Sequence, residues 1–142
     1  MSEQMRFCSI EDRATYEDAV AGIRGSTAYI SLVQTHGKDH SSRILQIADK
    51  TMVKKEVSDI QKWPGTALGG KAVCHRYRST PGFFMEMNIY LKQQTGEQEL
   101  TKDLVKKILY HDDLQFYDIG NNLLMFTVSR NGTIAVREDL LS

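Results

Sequence analysis

The chain has 142 residues, which fits one ordinary domain, and its apolar share of 41% and charged share of 25% are typical of a globular protein. Eighteen basic and eighteen acidic residues cancel, and each half of the chain carries nine of each sign. This balance excludes a chain-wide field that would draw the protein to nucleic acid or an acidic membrane, so any such binding needs a local patch.

The compartment is predicted from segments that the sequence lacks. No stretch has the apolar length of a signal-peptide core or of a membrane-spanning helix. Two cysteines, Cys8 and Cys74, do not make a disulfide framework in a chain of this size. We therefore expect a reduced, cytoplasmic protein with no membrane partner.

The first third of the chain predicts a strand, a helix and a hairpin. Residues 5–10 have strand character, and the apolar positions within residues 16–23 follow helical spacing. Residues 26–34 are rich in strand formers. A polar loop at 35–42 and a short returning strand at 43–48 complete the predicted hairpin.

The middle of the chain predicts a second helix followed by two strands. Apolar residues within 49–63 fall on one helical stripe, and Pro64-Gly65 ends the pattern sharply. Residues 71–78 then form a predicted strand. Within residues 84–92, the apolar Met85, Met87, Ile89 and Leu91 alternate with the polar Glu86, Asn88 and Lys92, which favours another strand.

The last third predicts a third helix and three strands. Residues 95–98 are the expected cap of a helix that buries leucine, valine and isoleucine side chains up to Leu109. Strands are expected at 114–117, 123–129 and 133–137. Asn131-Gly132 favours a type I′ turn between the last two, which pairs Val128 with Ala135 and Phe126 with Arg137.

These elements indicate the α+β class, with residues 1–142 forming a single domain. We expect a mostly antiparallel sheet of about six to eight strands and three helices packed on one face. No sequence repeat, linker or low-complexity segment divides the chain.

The segment from Gly65 to Lys71 matches the start of a phosphate-binding loop, G-x-x-x-x-G-K. Two features disagree with that function. Ala72 stands where a hydroxyl should hold magnesium, and a strand rather than a helix is expected to follow. A connecting segment is the better interpretation, and no nucleotide cofactor is predicted.

The basic strand that follows is the candidate contact surface. We predict that Lys71, His75, Arg76, Tyr77 and Arg78 contact a ligand or partner. Arg76 and Arg78 share one face of the strand, where they can bind phosphates or an acidic protein surface. Tyr77 and Phe84 could stack on an unpaired base. The alternative interpretation is a solvated edge, or a pairing of these charges with Glu86 on the neighbouring strand.

Other patterns give no catalytic or metal-binding residues. His36 and His40 share a loop, but no two cysteines have zinc-knuckle spacing. A nuclease mechanism would use His75 and His111 as base and acid, and nothing in the sequence brings these two histidines together. Cys74 lacks a histidine on its own strand face, so we predict no catalytic residues, no metal and no cofactor.

The leading hypothesis is a binding or regulatory module rather than an enzyme, which acts through contact with a protein partner or in a homodimer, as immunity and inhibitor proteins do. Apolar side chains on both faces of the last hairpin motivate it. The alternative is a protein that binds nucleic acid or a phosphorylated ligand through Lys71–Arg78, including a nuclease. A metal- or thiol-dependent enzyme is the third hypothesis.

Overall fold

The computed structural model of the chain describes residues 6–9, 16–35, 41–66, 70–96, 98 and 100–141, with the backbone alone of residues 54 and 55. This part of the chain contains seven strands: β1 (Phe7–Ser9), β2 (Tyr29–Gln34), β3 (Val53–Ile60), β4 (Ala72–Arg78), β5 (Asp112–Tyr117), β6 (Leu123–Val128) and β7 (Thr133–Arg137). It also contains four α-helices: α1 (Tyr16–Ile23), α2 (Arg43–Thr51), α3 (Pro81–Thr95) and α4 (Lys102–Leu109), with a 3-10 turn at Glu138–Leu140.

The seven strands form one sheet in the order β1-β7-β6-β5-β2-β4-β3, and all paired strands are antiparallel. β2 lies between β5 and β4, so an N-terminal strand joins the β3–β4 hairpin to the three consecutive strands β5, β6 and β7. β1 and β3 are the edges. The predicted α+β class and antiparallel sheet are confirmed.

The helices cover one face of the sheet, as predicted. Every α-helix buries side chains in the same cluster as the sheet residues Leu32, Tyr77, Leu114 and Ile134. These four alternate with residues of the opposite face, because successive side chains of a strand point to opposite sides. The structure has one more α-helix than the three expected. Across the described residues, no helix combines the length and apolarity that crossing a membrane requires.

Residues 43–48, predicted as a strand, belong to helix α2. The buried side chains Ile44, Leu45, Ile47 and Ala48 follow helical spacing, which a short apolar run cannot distinguish from a strand. Ser42 caps the helix by accepting a hydrogen bond from the Leu45 amide at 3.1 Å. The Ser42 hydroxyl also donates to Asp112 Oδ2 at 2.5 Å, which fixes the start of α2 to β5.

Residues 49–63, predicted as a helix, contain the end of α2 and the edge strand β3. Val53 and Val57, which suggested a buried helical stripe, are both exposed. β3 pairs only with β4 and is therefore an edge strand. Its charged residues oppose pairing with the strands of other chains. Because most of its described side chains are exposed, β3 does not alternate regularly between apolar and polar residues.

Residues 84–92, predicted as a strand, lie within helix α3. Phe83, Phe84, Met87 and Leu91 are buried at helical spacing, whereas the alternating positions include exposed residues. Thr80 is the N-cap and Pro81 occupies the first turn, where a missing amide hydrogen has no cost. In the sequence, Thr80-Pro81 is the signal for the start of helix α3, and the strand prediction overlooked it.

The C-terminal prediction is correct in its elements and wrong in one register. Helix α4 begins after Thr101, whose hydroxyl accepts from the Leu104 amide, whereas Gly96 of the predicted cap ends α3. In the β6–β7 hairpin, Val128 pairs with Thr133 and Phe126 pairs with Ala135. The register is thus two residues from the predicted one, because the turn is centred between Arg130 and Asn131 instead of between Asn131 and Gly132.

Candidate functional site

The face of the sheet without helices has its own buried residues. Val33, Ala72, Val128 and Ala135 are buried, yet they lie outside the cluster that the helices form with the other face. They belong to this helix-free face by strand alternation. Another segment must therefore shield this side of the sheet from solvent.

Part of that shield is the start of the β3–β4 connection, residues 61–66, which we call the Trp63 loop. The indole Nε1 of Trp63 donates to Oδ2 of buried Asp113 at 2.7 Å, and the other oxygen of that carboxylate accepts from the Ser129 amide at 2.7 Å. A Cβ added to Gly65 would lie 2.3 Å from a methyl of Val128. The Trp63 loop therefore extends from the sheet edge across to β5 and β6.

At the opposite end of the same face, an arginine lies over two tyrosine rings. The Cζ of Arg76 lies 4.7 Å from the ring centroid of Tyr29 and 5.2 Å from that of Tyr117. Its Nη2 donates to Oδ1 of Asn121 at 2.6 Å. Tyr29 and Tyr117 are directly paired on β2 and β5. We call Tyr29, Arg76, Arg78, Tyr117 and Asn121 the Arg76 surface.

The Arg76 surface has charged and aliphatic neighbours. Arg78, which is exposed, pairs with Tyr29 on one side and with Val53 of the edge strand on the other. The side chain of Val53 is 70% exposed, and that of Ile119, two residues after Tyr117, is 79% exposed. This end of the sheet thus presents aromatic, cationic and aliphatic groups to solvent.

Burial keeps two ionisable groups beside Arg76, the Tyr117 hydroxyl and the Cys74 thiol, protonated. Burial raises the pKa of the Tyr117 hydroxyl, and the nearby positive charge of Arg76 only partly offsets this. Burial also raises the pKa of the Cys74 thiol, against the smaller effects of a hydrogen bond with Ser31 and of the Arg76 charge. At neutral pH Cys74 is therefore a thiol, and the thiolate that nucleophilic chemistry needs is scarce.

The structure separates the five predicted contact residues. Arg76 and Arg78 lie on the helix-free face, and Lys71 is exposed just before β4. His75 and Tyr77 point to the helix-covered face and are buried. The Nε2 of His75 lies 2.9 Å from Oε1 of Gln34.

Tyr77 has a structural contact of its own. Its hydroxyl donates to Oδ1 of Asp49 on α2 at 2.6 Å, and burial together with that carboxylate raises its pKa. The hydroxyl therefore stays protonated and joins β4 to α2. Phe84, a second stacking candidate from the sequence, is buried in the core.

The structure gives little support to the phosphate-loop pattern or to a metal site. The connection that carries the phosphate-loop pattern joins strands β3 and β4, so no helix follows it, and residues 67–69 lie outside the described part. His36 and His40 also lie outside it. Among the residues that the structure describes, no three histidine, cysteine, aspartate or glutamate side chains are grouped as a metal site.

The two histidines of the nuclease hypothesis have different surroundings. His75 contacts Gln34 inside the core, whereas the carbonyl of His111 accepts from the Thr35 amide at 3.0 Å and its ring lies 3.8 Å from that of Tyr110.

A small apolar cavity lies between α3, α4 and the sheet. Its free volume of about 10 Å³ is that of roughly one water-sized sphere, and its walls are almost entirely apolar. A cavity of this size does not admit an organic ligand without a change in the helices.

The sequence did not identify Tyr29, Tyr117 and Asn121. Tyr29 and the core residue Ile30 are consecutive in β2, so strand alternation puts Tyr29 on the face away from the core. That alternation was the sequence signal that could have identified Tyr29. Nothing local places β5 beside β2, so the pairing of the two tyrosines needed the strand order. No family model, curated protein or solved structure matches this chain.

Proposed function

We propose that this protein is a small binding or regulatory module that contacts another protein through the Arg76 surface, in the manner of immunity and inhibitor proteins. One observation carries the proposal: Arg76 is held over two tyrosine rings, on a part of the sheet face that no helix of the described residues covers. Tyrosine and arginine are the residue types that most often dominate binding energy at protein interfaces.

The geometry around Arg76 supports tight contact because the side chain is already ordered. The two ring contacts and the bond to Asn121 fix a side chain that otherwise loses much rotamer freedom on binding. A partner that binds an ordered side chain loses less conformational entropy. Exposed Val53 and Ile119 add apolar area beside it.

The proposed site of action is the cytoplasm, where thiols stay reduced. Neither Cys8 nor Cys74 forms a disulfide, so no disulfide holds the fold together. The protonated state of Cys74 also favours a binding role over thiol chemistry.

The test begins with affinity capture from the native cell, followed by a binary titration of each recovered protein in purified form. Arg76→Ala should weaken the complex at least about 30-fold, as expected for an interface hot spot of about 2 kcal/mol. Arg76→Lys keeps the charge but loses the planar stack, and should also bind weakly. The control Arg24→Ala with Lys50→Ala removes two exposed charges elsewhere and should change binding less than twofold.

Sedimentation of the protein alone decides whether the partner is a second copy. A dimer that dissociates in Arg76→Ala would assign the surface to self-association. If purified partners bind Arg76→Ala and the parent protein equally, the proposal is wrong.

Nucleic acid is the second candidate, favoured by the two cations Arg76 and Arg78 on one face of β4, which could contact phosphates. Binding of single-stranded oligonucleotides, measured by fluorescence anisotropy, should then weaken steeply with salt, with a log-log slope near 0.7 per neutralised phosphate. Absence of binding at low salt would remove this candidate.

A further inference from the structure

We infer that the partner presents carboxylates to Arg76 and Arg78, from alternate residues of an extended segment that lies along β4. This inference rests on the proposed protein-binding function and specifies what the Arg76 surface recognises.

The first step is the charge of the two arginines. Within the described residues, neither Arg76 nor Arg78 forms an ion pair. Arg137 differs, because its guanidinium makes two bonds of 2.8 Å to Asp139. Glu56 pairs with Arg76 in register but forms no ion pair with it in this part of the chain. Two arginines of one strand face therefore remain for an external anion.

The second step is their spacing. Arg76 and Arg78 are two residues apart on one strand, so their Cα atoms are about 7 Å apart and their side chains share a face. An extended peptide has the same repeat. Glutamate side chains at alternate positions of such a peptide are long enough to reach the guanidinium of Arg78 and that of Arg76, which lies over Tyr29 and Tyr117. Each guanidinium can bind a carboxylate through two N–H groups.

The third step distinguishes an acidic peptide from a nucleic acid. Stacking of bases requires open aromatic faces, yet the guanidinium of Arg76 lies over the rings of both Tyr29 and Tyr117. The neighbours Val53 and Ile119 are aliphatic and exposed, which suits the side chains of a peptide. The chain has no net charge to attract a polyanion from a distance.

The experiment titrates the 142-residue protein with a defined peptide, acetyl-Val-Glu-Val-Glu-Val-amide, and follows the arginine Nε–H signals by NMR. We expect saturable shifts at Arg76 and Arg78 and small shifts at Arg24. The matched peptide with glutamine in place of both glutamates should shift these signals at least tenfold less. Arg78→Ala should weaken binding of the acidic peptide several-fold without changing the fold.

Three results would overturn the inference. These are no saturable shift with the acidic peptide at millimolar concentration, equal shifts with the glutamine peptide, or tighter binding of an oligouridine at the same signals. Failure of the inference is distinguishable from failure of the proposed function. A purified protein partner that still loses affinity in Arg76→Ala would preserve the function and remove only the acidic segment.

Discussion

Gly65 occupies a position that only glycine can fill without rearrangement. Its φ is +89°, and a Cβ there would lie 2.3 Å from Val128 Cγ2 and 2.8 Å from a ring atom of Phe126. We predict that Gly65→Ala lowers the free energy of unfolding by about 2 kcal/mol, from backbone strain and the clash with β6. Urea unfolding followed by far-UV circular dichroism measures this change.

Gly25 provides the matched control for Gly65. It lies in an exposed turn without positive φ, and a Cβ there would meet no atom within 4 Å. Gly25→Ala should change the free energy of unfolding by no more than about 0.5 kcal/mol. Equal effects of the two substitutions would contradict the close contact between the Trp63 loop and β6.

The reactivity of Cys74 reports the charges around Arg76. Burial raises the pKa of the thiol, the Arg76 charge lowers it, and the Glu56 charge raises it. Because a lower pKa gives more thiolate at a fixed pH below it, Glu56→Gln should speed alkylation of Cys74 by iodoacetamide at pH 8, by roughly twofold. The rate is measured by mass spectrometry in a Cys8→Ala background.

Two controls separate the effect of charge from that of access. Asp59→Asn removes an exposed charge of the same strand that does not contribute to the Cys74 pKa, and it should leave the rate unchanged. High salt should reduce the effect of Glu56→Gln, because Glu56 is exposed and its field is screened. A slower reaction in Glu56→Gln would contradict the placement of Cys74 beside these charges.

At the scale of elements, the Trp63 loop depends on one buried carboxylate. Asp113 accepts from the Trp63 indole and from the Ser129 amide, so it joins the loop to β5 and to the end of β6. Trp63→Phe removes the indole N–H donor, so Oδ2 of the buried Asp113 carboxylate loses this hydrogen bond. We expect a loss of about 1–3 kcal/mol in the free energy of unfolding, measured by circular dichroism in urea.

A double-mutant cycle isolates this hydrogen bond. Trp63→Phe and Asp113→Asn should be less than additive, with a coupling of about 1–2 kcal/mol. The control cycle pairs Trp63→Phe with Asp118→Asn. Asp118 bonds to Asn122 at the β5–β6 turn, so this cycle should show additive effects. Additivity in both cycles would mean that the indole–carboxylate contact contributes nothing to stability.

Two of the three elements predicted wrongly, α3 and β3, share one physical cause. In α3 the alternating Met85 and Ile89 are 60% and 48% exposed, so the alternation that favoured a strand did not reflect burial. In β3 the stripe of valines that favoured a helix lies on an edge strand in contact with solvent. A hydrophobic pattern predicts structure only where the core imposes it. The patterns of α1, β2, α4 and β5 were predicted correctly, whereas the short buried run of α2 fits either a helix or a strand.

At the scale of the whole molecule, the sequence could predict the class of the fold but not the strand order. Alternation in β4 correctly separated Arg76 and Arg78 from His75 and Tyr77. The position of β2 between β4 and β5 is a long-range pairing that no local propensity specifies. Tyr29 and Tyr117 come together only through that pairing, so the aromatic part of the Arg76 surface was not predictable from local patterns.

The same long-range pairing predicts how the molecule unfolds. Trp63 is the only tryptophan, and its loop is bonded to β5, which lies in the middle of the sheet. We therefore expect tryptophan fluorescence and far-UV circular dichroism to report one coincident transition in urea. In Asp113→Asn the loop loses that attachment, so fluorescence should change at lower urea than circular dichroism. Separate transitions in the parent protein would show instead that the loop leaves the sheet as an independent unit, because local opening then needs less free energy than global unfolding.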